Sequence, residues 1–288
     1  MKLIQALNHY AQALSAIYDD RQHAIRIIWW LLQKATNSTQ AELITTSILS
    51  DHVLKQVDGW INEIIYEHKP VQYILGTVPF LNLELIVRPP VLIPRPETEE
   101  WADLLIKRLS VSSVKKFNLL DVCTGTGCIA LALARAFPQA FIIASDNDED
   151  AGALAKKNAD YNKIDNCAIY RSDLFDQLPQ MHFSVITANP PYISLEEWTF
   201  LDRRVKNWES PQALIAQKEG TALLECIIQK APYYLDRDKK IPGVAQLWLE
   251  IGSQQADKVA TILHANEYKD ITVLKDSAGK NRVVTGNI

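Results

Sequence analysis

The sequence predicts an α/β protein in which a doubly wound, mostly parallel sheet follows a small helical bundle and a β-hairpin. From residue 118 onward, short apolar runs alternate with stretches of helical spacing, which is typical of a parallel sheet covered by helices. Before residue 69, apolar residues recur instead at steps of three and four. The 288 residues, 48% of them apolar and 22% charged, are enough for one large domain or two smaller ones.

Residues 1–68 are predicted to form the helical bundle. Leu3 and Leu7 begin an apolar face that continues at helical spacing. Ser38 and Ser50 stand where helix starts are expected. The segment has five Lys and Arg residues against seven Asp and Glu residues, so it is not a basic arm for nucleic acid. This lack of positive charge suits a docking surface for a protein.

Residues 69–96 are predicted to be a β-hairpin linker. Residues 71–76 and 83–87 have the composition of two paired strands. Residues 93–99, with sequence Ile-Pro-Arg-Pro-Glu-Thr-Glu, then form an extended approach to a helix that is acidic in its first turn. The third domain is predicted to span residues 97–288.

The third domain has the alternating pattern of strands and helices. Strands are predicted at residues 118–123, 141–146, 168–173, 183–188, 244–251, 271–275 and 282–286. Helices are predicted at residues 127–137, 149–161, 221–235 and 254–265. The last two strands are joined by a short turn, and we expect an antiparallel strand to close the sheet.

A glycine-containing loop joins the first strand of this sheet to its first helix. Glycines at 125 and 127 let a ligand approach the backbone, and the helix N-terminus offers free N–H groups to an anion. Asp146 ends the next strand, where a carboxylate can accept both hydroxyls of a ribose. The same pattern fits a dinucleotide site, so a hydride-transferring enzyme is an alternative.

Two further aspartates favour S-adenosylmethionine over a dinucleotide. Asp121 precedes the glycines, where it would repel a pyrophosphate but attract an ammonium group. Asp173 ends the third strand, at a position suited to the amino group of an adenine. Each aspartate alone also fits ordinary turn chemistry at a strand end. Ligands collect at that edge of such a sheet, which favours the binding interpretation.

The stretch from Asn189 to Tyr192, with sequence Asn-Pro-Pro-Tyr, follows the strand predicted at residues 183–188. Two prolines remove two backbone donors and fix a rigid bend. The remaining carbonyl and amide oxygens are suited to accept both hydrogens of a planar –NH2 group, with an aromatic ring beside it. A plain Pro-Pro turn, with Asn189 bonding its own backbone, is the alternative.

Composition excludes several classes of protein. Every apolar run is too short to span a membrane, and the N-terminus resembles neither a signal peptide nor a transit peptide. The four cysteines lack the spacing of a zinc site, so we expect no metal and reduced thiols in the cytoplasm. The net charge of −4 gives no field that attracts nucleic acid, and we expect a monomer.

With these motifs placed, the chain closely resembles the HemK/PrmC family of peptide chain release factor glutamine methyltransferases. The resemblance covers residues 70–288 continuously, and the N-terminal helices also fit it in length and place. The motifs that carry it are residues 72–76 (Gln-Tyr-Ile-Leu-Gly), 92–99 (Leu-Ile-Pro-Arg-Pro-Glu-Thr-Glu), 121–127, 189–193, 249–252 (Leu-Glu-Ile-Gly) and 279–283 (Gly-Lys-Asn-Arg-Val).

The resemblance implies a Rossmann-like methyltransferase domain that uses S-adenosylmethionine and releases S-adenosylhomocysteine. Its implied substrate is the side-chain amide nitrogen of the glutamine in the Gly-Gly-Gln motif of class 1 release factors. Carried over onto this sequence, the cofactor site would be lined by Asp121, Cys123, Thr124, Gly125, Thr126, Gly127, Asp146, Asp173, Leu174 and Asn189. The substrate site would include Arg95, Glu97, Thr98, Asn189, Pro190, Pro191 and Tyr192, of which Asn189, Pro190 and Tyr192 would be catalytic.

Two positions depart from the family pattern, and other functions share parts of the site. Cys123 stands where the family usually has glycine, and Ser210 stands where it usually has proline. A ribosomal-protein glutamine methyltransferase would have the same site. An adenine-amine methyltransferase of DNA or RNA would also present an –NH2 group, but it needs a basic groove. A non-catalytic adaptor would not need an intact Asn189 and Tyr192.

Overall fold

The computed structural model describes residues 1–15, 17–46 and 48–288, which divide into two compact units. The first unit comprises Met1–Thr77 and Asp202–Trp208, and the second comprises Val78–Leu201 and Glu209–Ile288. In the part of the chain so described, no helix is long and apolar enough to cross a membrane.

The first unit is helical, as predicted. Its helices are α1 (Leu3–Leu14), α2 (Arg21–Thr36), α3 (Gln40–Thr46), α4 (Asp51–Tyr66) and α5 (Val71–Leu75), followed by the short α10 (Arg203–Lys206) from the second stretch of chain. The Ser50 hydroxyl accepts the Val53 N–H and caps α4. The buried Tyr10 hydroxyl donates to Asp58, so α1 and α4 are joined by a hydrogen bond as well as by apolar packing.

The prediction of a strand at residues 71–76 is wrong, because α5 occupies Val71–Leu75. Pro70 fixes the residue before the first turn, and Gly76 ends the helix in the left-handed conformation with φ +82°. Val71 and Ile74, three residues apart, both pack into the helical core. One helical turn therefore buries two apolar side chains that an extended strand would direct to opposite faces.

The hairpin itself is confirmed, with its first strand displaced toward the C-terminus. It consists of β1 (Thr77–Phe80) and β2 (Leu83–Ile86). The Glu99 carboxylate accepts the Leu81 N–H at the hairpin turn. Glu99 lies in α6 (Pro96–Val111), which has a proline in its first turn and acidic residues near its positive end, as the sequence predicts.

The second unit contains a seven-stranded sheet, as predicted. Its strands are β3 (Asn118–Val122), β4 (Phe141–Asp146), β5 (Cys167–Arg171), β6 (Val185–Ala188), β7 (Leu247–Glu250), β8 (Lys269–Lys275) and β9 (Asn281–Asn287), in the spatial order β5-β4-β3-β6-β7-β9-β8. Strands β3 to β7 run parallel, and β9 runs antiparallel between β7 and β8. All four residues of β6 and of β7 are buried, because a parallel sheet is covered on both faces.

The remaining helices of this unit are α7 (Cys128–Ala136), α8 (Glu149–Tyr161), α9 (Leu195–Phe200), α11 (Ala222–Lys230) and α12 (Ala256–Ala265), with short 3-10 turns at Pro211–Ala213 and Ala231–Tyr233. The chain leaves this unit after Leu201 and returns at Glu209. Trp208 donates its indole N–H to the Glu67 carbonyl of the first unit at 2.9 Å. The domain boundaries predicted at residues 68 and 96 did not assign Asp202–Trp208 to the first unit.

Two glycines of the first unit, the half-buried Gly76 and the exposed Gly59, give a matched test of its backbone. We expect Gly76→Ala to lower the free energy of unfolding by about 1 kcal/mol, because alanine is strained at positive φ. Gly59 lies inside α4 with open space around it, and Gly59→Ala should raise the free energy of unfolding by about 0.5–1 kcal/mol. Urea denaturation of both variants measures the difference. Effects of the same sign would contradict this account of the α5 terminus.

Candidate active site

The carboxyl ends of β3, β4, β5 and β6 meet at one edge of the sheet. Strand β3 lies between β4 and β6, with Leu120 opposite Ile143 on one side and Ile186 on the other, so the strand order reverses there. Ligands of α/β sheets bind at such a reversal. A cleft opens at this edge, and the loops that follow these strands line it.

The cleft brings six of the ten predicted cofactor residues together. These are Cys123, Gly125, Asp146, Asp173, Leu174 and Asn189. The other four lie behind the cleft lining and are buried, namely Asp121, Thr124, Thr126 and Gly127. The predicted residues therefore lie in loops at the cleft, and the sequence did not distinguish those that face the cleft from those behind it.

Asp146 is held in place by two backbone N–H groups. The Gly125 N–H donates to its Oδ2 at 2.8 Å, and the Asp148 N–H donates to its Oδ1 at 3.0 Å. Burial raises the pKa of the Asp146 carboxyl, and these two bonds act in the opposite direction. Each carboxylate oxygen has further lone-pair capacity, so this side chain remains able to accept hydroxyl groups from a ligand in the cleft.

The loop between β3 and α7 is held in a left-handed conformation at two positions that line the cleft. Gly125 has φ +56°, and a Cβ atom added there would project into open space. Cys123 has φ +59°, a conformation that costs a non-glycine residue roughly 1–2 kcal/mol. Burial raises the pKa of the Cys123 thiol well above its usual range, so the thiol stays protonated and is not a nucleophile.

Asp121 supports this loop from inside the protein. It is fully buried, and its two oxygens accept hydroxyl groups from Thr124 at 2.6 Å and Thr187 at 2.7 Å. Burial raises the pKa of Asp121 to about 7, although both hydroxyl groups act in the opposite direction. Asp121 does not line the cleft, and its predicted attraction for an ammonium group stays a prediction. Asp121 instead fixes the loop.

Asn158 is a second supporting residue, and sequence analysis did not find it. Its buried side chain lies on α8 and donates to the carbonyls of Thr126 and Ile86, while its Oδ1 accepts the Ile86 N–H at 2.7 Å. One amide therefore joins the cofactor loop to the end of β2. The signal in the sequence is an asparagine on the apolar face of a helix, between Ala155 and Ala159.

The Asn-Pro-Pro-Tyr stretch leaves the sheet at the same edge. Asn189 follows β6 directly, and it lines the cleft together with Pro191. Its Nδ2 donates to the Thr98 hydroxyl at 3.4 Å. The plain-turn alternative predicted a bond from the Asn189 side chain to its own backbone, and the structure gives this side chain a different partner.

Tyr192 is fixed at both ends of the residue. Its hydroxyl donates to Glu250 at 3.3 Å, and its carbonyl accepts the Gln255 Nε2 at 2.7 Å. Gly220 approaches so closely that an added Cβ atom would lie 2.0 Å from the Tyr192 carbonyl oxygen. The bend after the two prolines is therefore rigid, as its sequence predicts.

The predicted substrate residues of the proline-rich approach have other partners. Thr98 is buried and does not line the cleft. Arg95 forms an ion pair with the buried carboxylate of Glu209, where the chain returns to this unit. Glu97 lines a separate cavity beside Arg282. Arg95 and Thr98 therefore have partners within the protein, and the substrate contacts predicted for all three residues stay predictions.

Glu250 is a further residue that sequence analysis did not place in the site. It ends β7, is 1% exposed, and accepts hydrogen bonds from Thr98, Trp101 and Tyr192. Burial raises its pKa, while its hydrogen-bond donors and the Arg282 guanidinium act in the opposite direction. The signal was a carboxylate at the end of an otherwise apolar strand.

The departure at Ser210 has a structural explanation. Its backbone N–H donates to the Pro90 carbonyl at 2.8 Å, a bond that proline could not form. Ser210 also lines the cleft. Across the described residues, 1–15, 17–46 and 48–288, no group of three or more His, Cys, Asp or Glu side chains could hold a metal ion.

Comparison with known proteins identifies two matching family models. Residues 5–76 match the PrmC N-terminal domain, and residues 96–202 match the methyltransferase small domain. A release factor glutamine methyltransferase from Flavobacterium psychrophilum is 31% identical over 96% of this chain and 96% of its own. One from Salmonella typhimurium is 38% identical over 76% of this chain and 75% of its own.

The fold is also similar to that of a solved methyltransferase. A 16S rRNA methyltransferase from T. thermophilus, in complex with AdoMet and guanosine, aligns with a TM-score of 0.52 at 16% identity. The alignment covers 74% of this chain and 50% of the other. This likeness concerns the fold alone, and it agrees with the Rossmann-like methyltransferase architecture predicted from the sequence.

The buried carboxyl of Asp121 predicts a pH dependence of stability. Its pKa is about 7 in the folded protein and about 3.9 when unfolded. The folded state therefore binds the extra proton between these values, and the contribution of Asp121 to stability falls as pH rises from about 4 to about 7. We expect the unfolding free energy of the wild type, relative to Asp121→Asn, to fall over this range.

Urea denaturation between pH 5 and pH 8 measures this difference. Asp160→Asn, at an exposed position on α8, is the control and should give a difference that changes little with pH. A pH-independent difference for Asp121→Asn would contradict the buried, proton-binding state of this carboxyl.

Proposed function

We infer that this chain methylates a glutamine side chain of peptide chain release factors, since it belongs to the release factor glutamine methyltransferase family. The observation that carries this proposal is the position of Asn189, which lines the cleft while Thr98 holds its nitrogen. The amide oxygen is thereby left to accept a hydrogen bond. The specific substrate we propose is the glutamine of the Gly-Gly-Gln motif in class 1 release factors.

We propose S-adenosylmethionine as the methyl donor, with S-adenosylhomocysteine as the product. The donor set of the cleft fits this molecule. Asp146 has carboxylate oxygens for two ribose hydroxyls, Asp173 has a carboxylate for the adenine amino group, and Gly125 leaves open space at the loop. When bound, this cofactor supplies a methyl group on a sulfonium, which is an electrophile.

The protein's task is to present an amide nitrogen to that methyl group. An amide nitrogen is a weak nucleophile, because its lone pair is delocalised into the carbonyl. We propose that Asn189 Oδ1 and the Pro190 carbonyl accept the two amide hydrogens and turn the nitrogen toward the methyl carbon. As the nitrogen–carbon bond forms and the sulfur–carbon bond breaks, positive charge grows on nitrogen, and both carbonyl dipoles stabilise it. One amide proton is then released to solvent.

We propose that the bend at residues 189–192 contributes to methyl transfer mainly by holding its groups rigidly in position. Pro190 and Pro191 fix the backbone, and Tyr192 is anchored by Glu250 and Gln255, so little reorganisation accompanies the reaction. We propose that the Tyr192 ring packs against the plane of the substrate amide. No metal or strong base is required by this mechanism.

We propose that the first unit docks the body of the release factor. Its charge balance suits a protein better than nucleic acid, with five basic against seven acidic residues in residues 1–68. We propose that the protein is a monomer that acts in the cytoplasm, where translation ends.

Substitutions of Asn189 and Asp146 should affect two different quantities, kcat and the affinity for the cofactor. We expect Asn189→Ala to lower kcat for methylation of a release factor by at least about 100-fold, because an acceptor for the developing charge is lost. Its affinity for S-adenosylmethionine should fall only about 2- to 5-fold. Asp146→Asn should weaken cofactor binding by about 10-fold or more, because a charged acceptor for the ribose is lost.

Radiolabelled methyl transfer to a full-length release factor and calorimetric titration of the cofactor measure both quantities. A ribosomal protein and duplex DNA serve as comparison substrates. Turnover by Asn189→Ala at the wild-type rate would rule out the amide clamp. Label that enters only the DNA would overturn the proposed substrate.

The proposed docking surface predicts a difference between whole substrate and peptide. Trp30 is 41% exposed on α2 of the first unit. We expect Trp30→Ala to raise KM for the full-length release factor by about 5-fold or more, since exposed tryptophans often anchor interfaces. KM for a short peptide containing Gly-Gly-Gln should be unchanged. Tyr233→Ala, at an exposed position of the second unit, is the control. Equal effects of Trp30→Ala on both substrates would refute docking at this surface.

A further inference from the structure

A buried carboxylate lies behind the proposed amide clamp. Glu250 Oε2 accepts the Thr98 hydroxyl and the Trp101 indole N–H, each at 2.7 Å. Its Oε1 accepts the Tyr192 hydroxyl at 3.3 Å. A carboxylate that is 1% exposed requires such partners, and this one uses them to connect α6 to both ends of the Asn-Pro-Pro-Tyr stretch.

The direction of these hydrogen bonds is determined by chemistry. An indole N–H can only donate, so the Oε2 atom next to Trp101 must accept. This holds whether or not Glu250 carries a proton on its other oxygen. Thr98 has a single hydroxyl hydrogen, and it points to the same Oε2 atom. The Thr98 oxygen can therefore only accept on its other side.

Asn189 lies on that other side, with its Nδ2 3.4 Å from the Thr98 oxygen. If the Asn189 amide turned over, its Oδ1 would face an oxygen that has no hydrogen to offer. Two acceptors would then lie against each other, which is unfavourable inside a protein. The Thr98 hydroxyl therefore selects one of the two orientations of the Asn189 amide, with the nitrogen inward and the oxygen toward the cleft.

We propose that Glu250 and Trp101 are positioning residues that act through Thr98 to keep the Asn189 oxygen facing the substrate. This inference rests on the function proposed above for Asn189. The consequence is specificity as well as rate. A glutamine offers one amide hydrogen to the Asn189 oxygen and the other to the Pro190 carbonyl, whereas a glutamate carboxylate offers only acceptors and is repelled. We call the hydrogen-bond chain from Trp101 and Glu250 through Thr98 to Asn189 the relay. It makes the site select glutamine over glutamate.

Two substitutions of Thr98 test the relay. Thr98→Val keeps the shape and removes the hydroxyl, so the Asn189 amide is free to turn over. We expect kcat for methylation of the full-length release factor to fall about 10- to 100-fold, while the affinity for S-adenosylmethionine changes less than about 2-fold. Thr98→Ser restores the hydroxyl and should recover kcat to within about 3-fold of the wild type.

A competitor measures the selectivity separately from rate. The release factor whose methylated glutamine is replaced by glutamate should inhibit the wild type weakly. Against Thr98→Val it should inhibit more strongly, by about 5-fold or more, because the turned amide presents its N–H group to the carboxylate. A merely structural role for Thr98 would weaken the binding of both proteins alike.

A second pair of substitutions tests the relay even if Thr98→Val does not fold. In Glu250→Gln, Trp101 still requires the carbonyl oxygen at the Oε2 position, so the direction of the relay is kept. In Trp101→Phe, the carboxylate still accepts from Thr98. We expect each single substitution to lower kcat no more than about 3-fold, and the double substitution to lower it at least about 10-fold beyond the product of the two.

Three outcomes are decisive. Coupling of this size, together with the Thr98→Ser recovery, supports the relay. Additive effects in the double substitution, or wild-type kcat in a folded Thr98→Val protein, would overturn it. If the wild type transfers no methyl group to the release factor, the proposed function fails instead, and this result is recognised before any variant is compared.

Discussion

Polar groups at the carboxyl edge of this sheet lie next to an apolar interior, and each of them needs a hydrogen-bond partner. Leaving one such group unpaired costs about 1–3 kcal/mol, which is a large fraction of the stability of a domain. Asp121, Asp146 and Asn189 all satisfy this requirement from the protein side. Their partners do more than stabilise the fold, because the same hydrogen bonds determine which atoms of each side chain remain for a ligand.

This constraint also explains why distant parts of the chain contribute to the site. Asn158 bonds both the cofactor loop and the backbone of Ile86 at the end of the hairpin. Thr98, from the first turn of α6, meets Glu250 across 152 positions of sequence. The hairpin and α6 therefore belong to the site, although the residues of β1, β2 and α6 do not line the cleft. Residues of the proline-rich motif at positions 93–99 support the site in this way. Arg95 forms an ion pair with Glu209, and Thr98 donates a hydrogen bond to Glu250.

The sequence was sufficient for the features that depend on local patterns. Helical spacing, the capping Ser50 and the alternation of strands and helices identified the bundle and the sheet, and the strand ends identified Asp146 and Asn189. The five residues of α5 were mistaken for a strand, because so short a segment fits both periods. The pairing of Asp202–Trp208 with the first unit, and the inward orientation of Thr98, depend on contacts between residues far apart in sequence. No local pattern contains that information.

Cys123 shows how the same loop tolerates a departure from its family pattern. A non-glycine residue at φ +59° is strained by roughly 1–2 kcal/mol, yet the loop does not depend on that residue to keep its shape. The Thr124 N–H donates to the Ser145 carbonyl, and the Gly125 N–H donates to Asp146, so the two residues after the strained position are held to the end of β4. A cysteine also loses less freedom on folding than a glycine, by about 0.4–1 kcal/mol, which offsets part of the strain. The hydrogen bonds of the loop therefore set the backbone conformation that a ligand meets. The Cys123 thiol changes the chemical surface of the cleft more than it changes the shape of the loop.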